Sequence, residues 1–120
     1  VRPLAVYTLA NCDTCRRAVK WLRARGLEFD ERPIRETPPS ATELRQALAA
    51  FGGERRKLFN TAGREYRALE LATKLPALTD AEAVGLLAAN GSLVKRPFVV
   101  GPRIALAGFD EAAWATAFDA

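Results

Sequence analysis

Apolar residues recur along this chain with two different periods, and the switches between them outline a fold. Leu4 to Leu9 is a short apolar run of β-compatible residues closed by the polar turn Ala10-Asn11, which predicts a buried strand. From Asp13 to Arg25, Cys15, Ala18, Val19 and Leu22 fall on one helical face and basic residues on the other. Gly26 stands where a C-terminal helix cap belongs. Leu27 to Pro33 alternates apolar and charged positions, the pattern of a half-buried second strand. Together these pieces predict a βαβ unit with a right-handed crossover.

Helical spacing then takes over. Thr37-Pro38-Pro39-Ser40 opens a helix, Ser40 and Glu43 fit a capping box, and the run stops at Gly52-Gly53. Lys57 to Asn60 predicts a helical turn and Arg64 to Leu71 a short helix. Thr79 to Ala89 predicts a helix capped by Thr79 with Glu82 three positions on. The period of two returns at Phe98-Val99-Val100 and Ile104-Ala105-Leu106, which flank Gly101-Pro102-Arg103 as a hairpin. Asp110 caps a last helix from Glu111 to Phe118, with Ala113, Trp114, Ala117 and Phe118 among its apolar positions. The order βαβ, helical insertion over about 37–90, then ββα predicts one α/β domain over residues 1–120.

Composition narrows the chemistry. With 120 residues, 49% of them hydrophobic, the chain can bury a core without disulfide staples. No apolar run nears the ~20 residues that span a bilayer. Val1-Arg2-Pro3 lacks a signal-peptide layout, so a cytoplasmic protein is expected. The net charge of +4 rests mostly on scattered arginines, Arg55-Arg56-Lys57 being a short run, which suits a solvated surface better than direct nucleic-acid binding. The absence of histidine excludes Ser-His-Asp and Cys-His machinery and any His-based zinc site. Two cysteines cannot complete a four-thiolate site in one chain, so no metal is expected. A nucleophile here needs activation by something other than imidazole.

The segment Asn11-Cys12-Asp13-Thr14-Cys15 lies where the first strand hands over to the first helix. Helix-end N–H groups and the helix dipole stabilise a thiolate at that place. Cys12 is therefore the candidate nucleophile, with the Thr14 hydroxyl and the Arg16 charge as candidate helpers. Cys15, one turn on, is either a resolving thiol that cycles with Cys12 through a disulfide or an inert core residue. Late in the chain, Lys95-Arg96-Pro97 directly precedes a strand. Proline there removes an N–H and can take the cis form, which suits a tight entry into a strand, and it holds Arg96, whose fork of donors matches a tetrahedral oxyanion or a carboxylate. The alternative is an ordinary surface arginine. Arg103, in the hairpin turn, is a candidate assistant to Arg96.

Taken together, VYTLANCDTCRRAVKWL, ETPPSATEL, KLFNTAGREYRALEL, NGSLVKRPFVV and LAGFDEAAW resemble the arsenate-reductase-like family of the thioredoxin superfamily, which includes the Spx regulators. The resemblance covers nearly the whole chain. It implies a thioredoxin-like α/β fold with a four-stranded mixed sheet, Cys12 as nucleophile, and Arg96 in the place of an anion-binding arginine, with Asn11 nearby. In the reductases the cysteine attacks arsenate, and glutathione with glutaredoxin releases arsenite. Those reductases carry a further arginine in the central segment where this chain has Asn60, which supplies no charge. The N-C-D-T and L-F-N-T patterns match members that look more like glutathione- or thioredoxin-linked thiol reductases.

The resemblance thus implies an oxidoreductase with no bound cofactor, taking a small oxyanion or thiol substrate. Electrons would come from glutathione, glutaredoxin or thioredoxin. The alternative is an Spx-like redox sensor that docks on RNA polymerase. Spx proteins continue into a basic tail past the last helix, whereas this sequence stops at Asp119-Ala120, which favours the reductase.

Overall fold

The computed structural model describes residues 4–119, so the reading of Val1-Arg2-Pro3 lies outside the described residues. Strand β1 (Leu4–Thr8), helix α1 (Asp13–Ala24) and strand β2 (Phe29–Pro33) form the expected βαβ unit, with β1 and β2 parallel. Helices α2 (Ala41–Ala50), α3 (Arg64–Ala68), α4 (Leu71–Lys74) and α5 (Asp80–Ala89) follow, interspersed with 3-10 turns. Strands β3 (Phe98–Gly101) and β4 (Ile104–Ala107) and helix α6 (Glu111–Asp119) close the chain. The sheet order is β2-β1-β3-β4, with β3 antiparallel to both of its neighbours, which makes it a mixed four-stranded sheet of thioredoxin-like topology.

The period of two along the central strands sorts side chains onto two cores. Ala5 and Tyr7 of β1, with Phe98 and Val100 of β3, face the helices between β2 and β3. Val6 and Val99 face the other way, onto Ala18 and Leu22 of α1 and Trp114 of α6. Trp114 is 1% exposed, donates from its indole nitrogen to the Gly108 carbonyl at 3.0 Å, and meets Phe109 edge-on at 4.9 Å between centroids. That cluster anchors α6 over the sheet beside α1.

Several boundaries differ from expectation for local reasons. Strand β2 begins at Phe29 rather than Leu27 because the amide of Leu27 still closes the end of α1, bonding the Leu22 carbonyl across left-handed Gly26. The helical turn covers Arg55–Leu58, and Phe59 is extended, bridging to Val94. The run from Arg64 to Leu71 is broken at Glu70, which adopts a left-handed conformation (φ 55°) between α3 and α4. Both capping boxes, Ser40 with Glu43 and Thr79 with Glu82, form as expected.

Candidate active site

Strand β1 ends at Thr8, and a short turn carries the chain to Cys12, whose extended backbone makes it the N-cap of α1. A cap residue ordinarily offers an oxygen to the free amides of the first turn. Here sulfur does so: the backbone N–H of Cys15 donates to Cys12 Sγ at 3.2 Å. Cys12 is half-buried and Cys15 is 2% exposed, and both are free thiols. Burial pushes the Cys15 thiol up to about 12, reinforced by its hydrogen bond to the Cys12 sulfur and by negative charge there. The backbone at Leu9 and the positive charge of Arg96 act in the opposite sense. The buried thiol is thus held protonated beside its neighbour.

Arg96 precedes β3 through a cis peptide bond to Pro97. Because β3 runs antiparallel to β1, with Phe98 opposite Tyr7, Arg96 stands at the sheet end from which Cys12 emerges. Its Nη1 donates to the Ser92 carbonyl at 3.3 Å, which fixes the half-buried side chain. Asn60 belongs to the same corner, since its amide donates to the Leu93 carbonyl at 2.7 Å while Lys95 donates to Leu58 at 2.8 Å. These bonds strap the central segment to the approach of Arg96. Gly108 faces the corner from the end of β4, its amide on the Pro97 carbonyl at 2.9 Å. Its φ is 75°, and a Cβ there would come within 2.7 Å of Lys95 Cε.

The other expected residues are placed less centrally. Asn11 is exposed in the turn, and Thr14 is half-buried in the first turn of α1. Arg16 is turned to the Asp13 carboxylate and the Ala10 carbonyl. Arg103 sits in the β3–β4 turn with a left-handed φ of 63°. Val100 pairs with Ala5, so that turn lies at the opposite end of the sheet. With ~3.3 Å of rise per residue, the length of β1 places it well over ~10 Å from Cys12. Arg103 instead lines a groove with Asp30, Arg32 and Glu43, and it takes no part in a site built on Cys12.

Two features of the site escape sequence inspection. One is the Thr8 hydroxyl donated to Glu31 Oε2 at 2.7 Å, a contact set by strand register rather than by spacing along the chain. The other is a cleft of about 440 Å³ on the far side of Cys15, lined by Thr8, Arg16, Lys20, Arg23 and Glu31 among others. The spacing of Arg16, Lys20 and Arg23 puts them on one face of α1, a regularity visible in the sequence.

The ArsC family profile matches residues 7–117. The uncharacterized protein YusI of Bacillus subtilis is 41% identical over 90% of this chain and 92% of its own length. The crystal structure of an ArsC-family-related protein from Bacteroides fragilis superposes with a TM-score of 0.88 at 38% identity, covering 97% of this chain and 98% of that one. The global transcriptional regulator Spx of Streptococcus mutans is 25% identical over 90% of this chain and 77% of its own. With its cysteine pair at the start of α1 and a thioredoxin-like sheet behind it, the chain belongs to the ArsC family.

Proposed function

We propose that this protein is a thiol-dependent reductase in which Cys12 attacks an oxyanion or disulfide substrate and Cys15 resolves the adduct. The oxidoreductase class goes with the family; the roles of individual residues are our reading. The observation that carries it is the Cys15 N–H donated to Cys12 Sγ at 3.2 Å. The nucleophilic sulfur occupies the positive end of a helix, where a developing or departing thiolate is stabilised, and lies one turn from a second thiol.

With a disulfide R–S–S–R, the Cys12 thiolate forms Cys12–S–S–R and releases one RS⁻. Cys15 then attacks Cys12 Sγ, expels the second RS⁻ and leaves a Cys12–Cys15 disulfide. With an arsenic oxyanion, Cys12 displaces an oxygen ligand to form a sulfur–arsenic bond. Attack by Cys15 then releases the arsenic reduced by two electrons. Arg96 would hold the anionic group, helped by the helix-end amides. Asn60 occupies the same corner and offers an uncharged amide. Glutathione, glutaredoxin or thioredoxin would restore the dithiol, in the reducing cytoplasm where free cysteines persist. A domain spanning the whole chain, with the helices between β2 and β3 as its insertion, completes this reading.

The test is NADPH consumption with arsenate or a small disulfide, coupled separately through glutathione with glutaredoxin and through thioredoxin with its reductase. Turnover should vanish in Cys12→Ser, survive in Cys15→Ser only where glutathione resolves the Cys12 adduct in its place, and lose about 10²-fold in kcat/KM in Arg96→Ala. Turnover unchanged in Cys12→Ser would overturn the proposal. The similarity to Spx favours one second reading, a redox sensor that binds RNA polymerase. A pulldown of polymerase that depends on oxidant, with no turnover in either coupled assay, would select it.

A further inference from the structure

The resolving step needs a destination for the Cys15 proton, and the far side of that sulfur supplies one. Thr8 and Glu31 sit on the α1 side of the sheet, since Thr8 shares the parity of Val6, and Glu31 that of Phe29. Thr8 is 7% exposed, and its hydroxyl donates to Glu31 Oε2 at 2.7 Å. The next residue, Leu9, lines the cleft together with Cys15. Cys15 and Glu31 line the same solvent-open cleft, and Glu31 is the only carboxylate among its lining residues. Its other oxygen lies 4.0 Å from Arg23 Nη2, and Arg16 and Lys20 face the same space from α1. Three cations and one carboxylate thus surround the cleft that Cys15 lines. From the opposite side Cys15 meets Cys12 and the charge of Arg96.

We propose that Glu31, oriented by Thr8, accepts the Cys15 proton through cleft water during the resolving step. This rests on the resolving role of Cys15 proposed above. While Cys12 is a free thiolate, the Cys15 hydrogen bonds to it. Once Cys12 is bonded to substrate sulfur, that acceptor is lost, and the proton has Glu31 as the carboxylate within its cleft. In Cys12–S–S–R + Cys15–SH → Cys12–S–S–Cys15 + RSH, the S–S bond between Cys12 and the substrate sulfur breaks and the S–S bond between the two cysteines forms. Cys15 is oxidised, R–S is reduced, and the proton passes by way of Glu31 to the departing thiolate.

The experiment mixes the reduced protein with Ellman's disulfide and follows thionitrobenzoate release by stopped flow. The first equivalent reports attack by Cys12 and the second reports resolution by Cys15. Glu31→Gln should leave the first phase unchanged and slow the second by on the order of 10²-fold at neutral pH. The pH profile separates chemistry from packing. With Glu31 present the second phase should be level between about pH 6 and about pH 8, whereas in Glu31→Gln it should climb about tenfold per pH unit, as hydroxide alone makes the thiolate. Glu31→Asp should restore a level profile. Thr8→Val should slow the phase several-fold yet keep it level. A second phase with wild-type rate and profile in Glu31→Gln overturns the inference while the resolving role stands. Wild type lacking the second phase, like Cys15→Ser, overturns the resolving role itself.

Discussion

Iodoacetamide should separate the two cysteines sharply. Moving a thiol from its ordinary 9.0 up to about 12, as burial and the Cys12 sulfur do for Cys15, lowers its thiolate fraction at neutral pH by roughly 1000-fold. The more basic thiolate is intrinsically more nucleophilic, and a Brønsted slope of ~0.4–0.5 returns roughly 20-fold. Cys15 should therefore alkylate roughly 50-fold more slowly in the native protein than in the chain unfolded by urea, before any steric shielding is counted. Mass spectrometry of quenched time points, read peptide by peptide, gives both rates. Cys12→Ser should accelerate Cys15, because the neighbouring sulfur that helps to raise it is gone, yet leave it slower than in the unfolded chain, because burial remains. A native Cys15 rate within a few-fold of the unfolded rate would refute the reasoning, because neither burial nor the partner sulfur would then be controlling the thiol.

Three further outcomes follow from the packing and the charges. Tyr7, pushed up to about 12 by burial and its bond to Glu43 against the pull of Arg32, contributes stability that is complete below its unfolded value near ~10 and is lost as pH rises through about 12. Cys15 acts in the same sense from 9.0 upward, so urea midpoints should fall above about pH 9, and less steeply in Tyr7→Phe. At neutral pH Tyr7→Phe should cost about 1–2 kcal/mol through the lost hydrogen bonds to Glu43 and Arg32. A Cβ on Gly91 would sit 1.8 Å from the Ile34 carbonyl oxygen, so Gly91→Ala should cost about 3 kcal/mol or more, read as a lower thermal midpoint; an unchanged midpoint would contradict that packing. Ser40→Ala, which removes a complete capping box, should cost about 1 kcal/mol by urea titration.

What could be read in advance depended on whether the cause was local. The strand, Cys12 turn and α1 were legible because apolar period, N-cap position and Gly26 all act within a few residues. The break between α3 and α4 was not, since Arg67, Ala68 and Leu69 are good enough helix residues, and Glu70 offers no signal for its left-handed turn. The two arginines show the same division. Arg96 and Arg103 flank one strand, the first read from sequence as the anion-binding candidate and the second as its possible assistant. Strand β3 begins beside Cys12 and runs away from it, so the proline-bound Arg96 stays at the site while the turn carries Arg103 to the far edge. Residue type suggested an assistant role for Arg103, and strand direction places it at the other end of the sheet from Cys12. Glu31 gives the converse case. On a half-buried edge strand its charge reads as a solvated face, and only the parallel register of β1 with β2 brings Thr8 onto it and Cys15 into the same cleft. Chemistry carried by a single segment can be found from sequence, whereas chemistry assembled across parallel strands is set by register, which in this chain depends on the α1 crossover returning β2 alongside β1.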